Sequence, residues 1–147
     1  RVRTHAGGGE PVPVLVKLAP DLSDAQAEQA VEIALAEGIS GIVAVNTTVD
    51  RHGLRTAAGR VEAMGLGGIS GTPLKQRALE MVSLIHRWTK GAVPIIGVGG
   101  ISTADDAWER IRAGASLVQL YTGLIYRGPA LVRECIDALC RNGGSTR

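Results

Sequence analysis

Residues 94–124 read "PIIGVGGISTADDAWERIRAGASLVQLYTGL", and the order of patterns within them decides the fold. An apolar, strand-sized run, Pro94–Val98, meets two adjacent glycines, Gly99 and Gly100. Ser102 or Thr103 then offers a helix N-cap, Ala107, Trp108 and Ile111 mark an inward stripe, and Gly114 ends the helix. A second apolar run, Leu117–Leu120, finishes in Tyr121-Thr122. Strand, helix and strand in this order demand a parallel pair joined by a right-handed crossover.

The same pattern recurs outward from there. Val12–Leu18 and Gly41–Val45 are two more strand-sized runs. None of the four alternates cleanly with polar residues, so the strands are expected to be covered on more than one side, as in parallel sheets. Ser23-Asp24-Ala25-Gln26 is a capping-box arrangement, with Ala27, Ala30, Val31, Ala34 and Leu35 behind it and Gly38 as the stop. Thr72-Pro73 offers an N-cap and a first-turn proline before the stripe Leu74, Ala78, Met81, Val82, Ile85, which ends at Gly91. Pro129 opens a last helix with Leu131, Val132, Cys135, Ile136 and Leu139 inward.

The order is β-α-β-(long loop)-α-β-α-β-α. Four βα units make half of an eight-stranded barrel or a small open sheet. The opening "RVRTHAGGGEPVP" has no Met and reads as an internal loop. Residues 1–13 are therefore expected to be a loop exposed by truncation, 14–140 the C-terminal half of a (β/α)8 TIM barrel, and 141–147 a tail. The connection 47–71, "TTVDRHGLRTAAGRVEAMGLGGISG", lacks clear periodicity. Loops of that length in compact domains are usually functional, and this one leaves the strand ends where barrel active sites lie.

Composition excludes several classes. A formal charge of +2 from scattered Lys and Arg gives no nucleic-acid patch. No apolar run is long enough to cross a bilayer. Cys135 and Cys140 are five apart, and no Cys or His stands at metal-ligand spacing, so both are expected as reduced thiols in a cytosolic protein, one of them facing the core, with no metal.

Each strand tip carries polar or glycine-rich residues. Lys17 lies inside the apolar run "VLVKLAP", a costly place unless it faces an anion or a wet cavity, or snorkels at a sheet end. Asn46, Thr47 and Thr48 follow the second strand with donors, acceptors and hydroxyls, although a polar turn has the same composition. Gly99-Gly100 and Tyr121-Thr122 end the last two strands, and "GLGGISG" (65–71) adds a second glycine patch. Such tips either cradle a phosphate, helped by the helix dipole from Ser102 onward, or simply form turns needing positive φ. No Ser-His-Asp set and no catalytic carboxylate pair stands at the tips. The residues supply binding groups for an anionic, phosphorylated ligand.

Taken together, "VLVKLAPDLSDAQ", "VNTTVDR", "GGISGTPLKQRALEMV" and "VPIIGVGGISTADDAWERIRAGASLVQLYTGLIYRGP" resemble the C-terminal half of class 2, quinone-linked dihydroorotate dehydrogenase, from about Val14 to Leu139. The resemblance implies an FMN flavoprotein, an oxidoreductase of pyrimidine biosynthesis that oxidises dihydroorotate to orotate and passes electrons to a membrane quinone. It implies that Lys17 reaches the flavin ring, that Val45, Gly71, Gly100, Tyr121 and Thr122 hold FMN, and that Asn46 and Thr47 contact the substrate. Val45 stands where many relatives have Thr. The family's serine base and its quinone-admitting, membrane-docking segment belong to the N-terminal half. The resemblance thus implies that the base lies outside this chain, that the isolated chain is inactive, and that its partner is the N-terminal half of the barrel. The full-length protein would be cytoplasmic and peripherally attached to the inner membrane. A non-flavin phosphate-binding barrel enzyme and a non-catalytic half-barrel module are the other two readings of the same residues.

Overall fold

A computed structural model describes residues 12–143. The expected 1–13 loop and the 141–147 tail therefore lie mostly outside the described residues. The elements are β1 (Leu15–Leu18), α1 (Asp24–Ala36), β2 (Gly41–Ala44), α2 (Ala58–Ala63), α3 (Lys75–Thr89), β3 (Ile95–Val98), α4 (Ala104–Arg112), β4 (Leu117–Gln119), α5 (Thr122–Arg127) and α6 (Ala130–Gly143). The sheet is parallel in the order β1-β2-β3-β4, with Lys17 opposite Val43, Val43 opposite Ile96, and Ile96 opposite Leu117. Sequential order in a parallel sheet, with helices on the outside, is the arrangement of consecutive barrel units. The four βα units are half of a (β/α)8 barrel.

Sheet coverage differs from the expectation drawn from the unbroken apolar runs. On one face Leu18, Ile42, Ala44 and Ile95 are buried beneath α1 and α3, where Val31, Ala78, Met81, Val82 and Ile85 complete the core. The opposite face is partly open: Leu15 is 40% and Leu117 61% exposed. A smaller cluster of Ile101, Ala107, Leu131 and Cys135 packs α4 against α6. β1 begins at Leu15, later than the apolar run that starts at Val12.

The local signals act as their chemistry dictates. Ser23 accepts from the Gln26 N–H while the Gln26 side chain accepts from the Ser23 N–H, closing the capping box of α1. Gly38, at φ 75°, lets the chain turn back, and the Gly38 and Ile39 N–H groups satisfy the carbonyls of Leu35 and Ala34. Thr72 does not cap α3. Thr72–Leu74 is itself a 3-10 turn entered from Gly71 at φ 79°, and α3 starts at Lys75.

Two expectations are corrected in the last third. Tyr121 is followed by the short helix α5, which carries no side-chain cap to announce it. In α6, Leu131, Cys135 and Ala138 are buried, but Val132 is 39% and Ile136 54% exposed. This helix packs chiefly on α4 and α5, so its buried stripe is narrower than its apolar one. Cys140 is exposed. No described helix is long and apolar enough to cross a membrane, and no group of His, Cys, Asp and Glu among the described residues could hold a metal.

Candidate functional site

A half-open cleft lies at the C-terminal ends of the four strands. Lys17 comes from β1, Val45, Asn46 and Thr47 from the end of β2, Gly99 and Gly100 from the end of β3, and Tyr121 and Thr122 from the end of β4. Gly71, at the far end of the long loop, also lines it. All eight residues singled out by the resemblance therefore share one surface. For the residues on or just after the strands this follows from the parallel sheet, whose strand ends all emerge on the same side, whereas Gly71 is brought there by the loop.

Each wall has a local cause. Lys17 and Leu15 lie on the less covered face of β1, opposite in pleat to the buried Leu18. Val45 is 2% exposed, and its N–H donates to the Val98 carbonyl (3.0 Å), while the Asn46 N–H donates to Leu18 (2.8 Å). The chain is thereby tied to both neighbouring strands just before the Asn46 and Thr47 side chains emerge. The 44–45 peptide bond is cis. Asp21 accepts from the Thr48 hydroxyl (2.5 Å) and the Val49 N–H (3.2 Å), and Thr48 and Ile69 exchange backbone bonds. These bonds pin both ends of the long loop, and Arg51 spans its interior by donating to the carbonyls of Gly65 (3.1 Å) and Gly67 (2.9 Å). The loop is less irregular than its sequence suggests, since it contains α2.

The glycines at the β3 tip serve the fold first. Gly99 and Gly100 have φ of 109° and 72°, and a Cβ on Gly100 would overlap the Lys75 backbone. Glycine is required there because α3 starts hard against the turn. Gly71 is closed in by Thr122, whose Cγ2 would be 3.0 Å from an added Cβ.

The helix dipole expected from Ser102 onward is already answered. Thr103 caps α4 by accepting from the Asp106 N–H (3.1 Å), and Asp106 accepts from the N–H groups of Ser102 (2.8 Å) and Thr103 (2.9 Å). Asp106 is 3% exposed and also pairs with the Lys75 ammonium at 2.5 Å. Burial pushes its carboxyl up, but Lys75, Ser102 and Thr103 pull harder and bring it to about 2. The same contact raises the Lys75 ammonium above its usual range.

Sequence reading missed several residues. Ser70, whose hydroxyl accepts from Thr122 (2.9 Å), and Gln119 line the cleft without a motif to mark them. Asp106 and the fully buried Arg110 were legible in principle. Thr103 and Asp106 have capping-box spacing, and positions 103, 106, 107, 110 and 114 follow one helical face.

The cleft's chemistry is one-sided. Its lining offers one ammonium, three hydroxyl side chains besides the Tyr121 phenol, two carboxamides and glycine backbone, and it contains no Asp or Glu. Such a set suits an anionic ligand with a flat apolar part resting on Val45, Val98 and Ile101. The donors present fit a phosphate-bearing flavin.

The chain is 56% identical over 128 residues to the dihydroorotate dehydrogenase (quinone) of Salinispora arenicola, covering 86% of this chain and 37% of that protein. It is 47% identical over 146 residues to the enzyme of the same name from Cereibacter sphaeroides, covering 97% and 40%. The structure of DHODH from Eimeria tenella in complex with ferulenol superposes with a TM-score of 0.80 at 42% identity, covering 90% of this chain and 35% of that one. The chain thus spans about two fifths or less of the length of these relatives. The dihydroorotate dehydrogenase family model matches residues 4–142, and the chain belongs to that family.

Proposed function

We propose that this chain is the C-terminal, cofactor-holding part of an FMN-dependent dihydroorotate dehydrogenase that uses quinone as its electron acceptor. The observation that carries the reading is the convergence of Lys17, Val45, Asn46, Thr47, Gly71, Gly100, Tyr121 and Thr122 on one cleft without a carboxylate. Relatives at 47–56% identity bear the name dihydroorotate dehydrogenase (quinone).

FMN would supply the two-electron acceptor that oxidation of dihydroorotate to orotate requires. The chain's own residues bind and orient. Lys17 places a positive charge beside the flavin ring, favouring negative charge there. The Val45 backbone, whose side chain is buried, and the tips at Gly71, Gly100, Tyr121 and Thr122 hold the cofactor, its phosphate against backbone N–H groups. Asn46 and Thr47 are exposed at the mouth, where their side chains are free to bond orotate. No Asp, Glu or His lines the cleft to deprotonate Ser70 or the substrate, so proton removal falls to the serine of the N-terminal half. Quinone and membrane attachment fall to that half as well. On this reading the isolated chain oxidises no dihydroorotate.

The test is a visible absorption spectrum of the purified chain after incubation with FMN and removal of the excess. Retained flavin absorbance that falls in Lys17→Ala and Thr122→Val supports the site. A colourless protein with concentration-dependent association would favour a non-catalytic half-barrel module instead.

A further inference from the structure

Arg110 is 0% exposed, although it carries a charge. Its Nη2 donates to the carbonyls of Lys75 (2.8 Å) and Gly99 (2.7 Å), while Nε and Nη1 are buried without a hydrogen-bond partner. Burial depresses its pKa, and the charges of Asp106 and Glu109 oppose that. An apolar side chain of similar volume would fill this space at lower cost. β3 also makes room for it: a Cβ on Gly97 would sit 3.3 Å from the Arg110 Cβ and Cδ. A buried cation that leaves donors unused and displaces a strand side chain calls for a purpose beyond packing.

We infer that Arg110 is a positioning residue for the cleft's anion, fixing the Gly99–Gly100 peptide so that the Gly100 N–H faces the ligand. The inference rests on the flavin reading above and names the residue that shapes its phosphate contact. The Gly99–Gly100 bond is trans, so its C=O and N–H point in opposite directions. The carbonyl is held by Arg110, on the core side of the turn. The N–H of Gly100 must then point away from Arg110, toward the cleft that Gly99, Gly100 and Ile101 line and Arg110 does not. A charged donor on the carbonyl polarises the peptide and strengthens that N–H as a donor. The second bond, to the Lys75 carbonyl, clamps the start of α3 to the same turn. The Lys75–Asp106 pair clamps α4 there too, so that the peptide plane cannot rotate without breaking buried bonds.

FMN and riboflavin differ only by the phosphate, so their affinities for the 147-residue chain, measured by flavin fluorescence, isolate this contact. The native chain should prefer FMN. Arg110→Met should reduce that preference at least tenfold with riboflavin affinity unchanged, and Arg110→Lys should fall between the two. Equal loss of both flavins would show a merely structural role and overturn the inference. Should Arg110→Met not fold, an unchanged preference in Arg110→Lys overturns it equally. Failure of the native chain to bind either flavin would reject the flavin reading. The decision then passes to the Gly100 amide resonance under inorganic phosphate. A shift in the native chain that Arg110→Lys weakens supports the role of Arg110, and no shift in the native chain overturns it.

Discussion

Asp106 behind the cleft and Gly100 in its wall carry distinct pH and steric signatures. Asp106 has its carboxyl lowered from 3.8 to about 2 in the folded chain. Because the folded value lies below the unfolded one, the stabilisation is fully present above pH 3.8 and is lost as pH falls toward 2. That displacement corresponds to about 2 kcal/mol. Urea unfolding of Asp106→Asn at pH 7 should show a loss of this size, and the gap from the native chain should close between pH 4 and 2. A gap that persists at pH 2 would mean the carboxylate is not what the Lys75 contact needs. Gly100 makes a second case. Its φ of 72° costs a substituted residue roughly 1–2 kcal/mol, and the overlap with the Lys75 backbone adds to this. Gly53 has a similar φ of 70° with nothing within 4 Å of an added Cβ. Gly100→Ala should therefore lower Tm well beyond Gly53→Ala. Equal shifts would show that φ alone, not contact with α3, demands glycine at the β3 tip.

Elements were legible where local chemistry forms them and obscure where tertiary contacts do. The α1 capping box is written in Ser23 and Gln26, and Ser23→Ala should cost about 1 kcal/mol, or roughly 2–4 °C in Tm by calorimetry. The strand-tip residues of the cleft were equally readable, since parallel strands deliver their ends to one side and the family motifs mark them. α5 was not, because its six residues carry no cap and follow a strand directly. Arg110 is harder to read: one arginine on an amphipathic helix has the signature of a surface residue, and against that stand only its place on the helical face of positions 103, 106 and 107 and, in the structure, the packing of Gly97 over it. The connection from Thr47 to Gly71 shows no clear periodicity in sequence because its order comes from a distant residue, Asp21, and from Arg51. Asp21→Ala should therefore leave the helices intact by circular dichroism yet hasten tryptic cleavage at Arg51, Arg55 and Arg60. An unchanged digestion rate would show that the Arg51 bonds and the Thr48–Ile69 bridge suffice.

At the scale of the molecule, the sheet has two outer strands and an incompletely covered face. Among the described residues, β2 and β3 are paired on both sides, whereas β1 and β4 are each paired on one only. Exposed Leu15 and Leu117 lie on the open face of those outer strands, an arrangement that soluble domains usually cover. The relatives are more than twice as long as this chain, so further βα units are available in them to close the barrel. If those units occupy both edges, the two outer strands should change together and the central pair should not. Amide exchange of the 147-residue chain should be slowest in β2 and β3 and faster at the outward amides of β1 and β4. Mixing with the preceding portion of the Salinispora arenicola relative should slow exchange in β1 and β4 alone. The same mixture, supplied with FMN and a quinone, should oxidise dihydroorotate, and neither portion should do so by itself. Protection of the edges without activity would place the units correctly but leave the base misaligned with the cleft. Activity of the 147-residue chain alone would show instead that a base within it had been overlooked, and Ser70, which accepts the Thr122 hydroxyl at 2.9 Å inside the cleft, would be the first residue to replace.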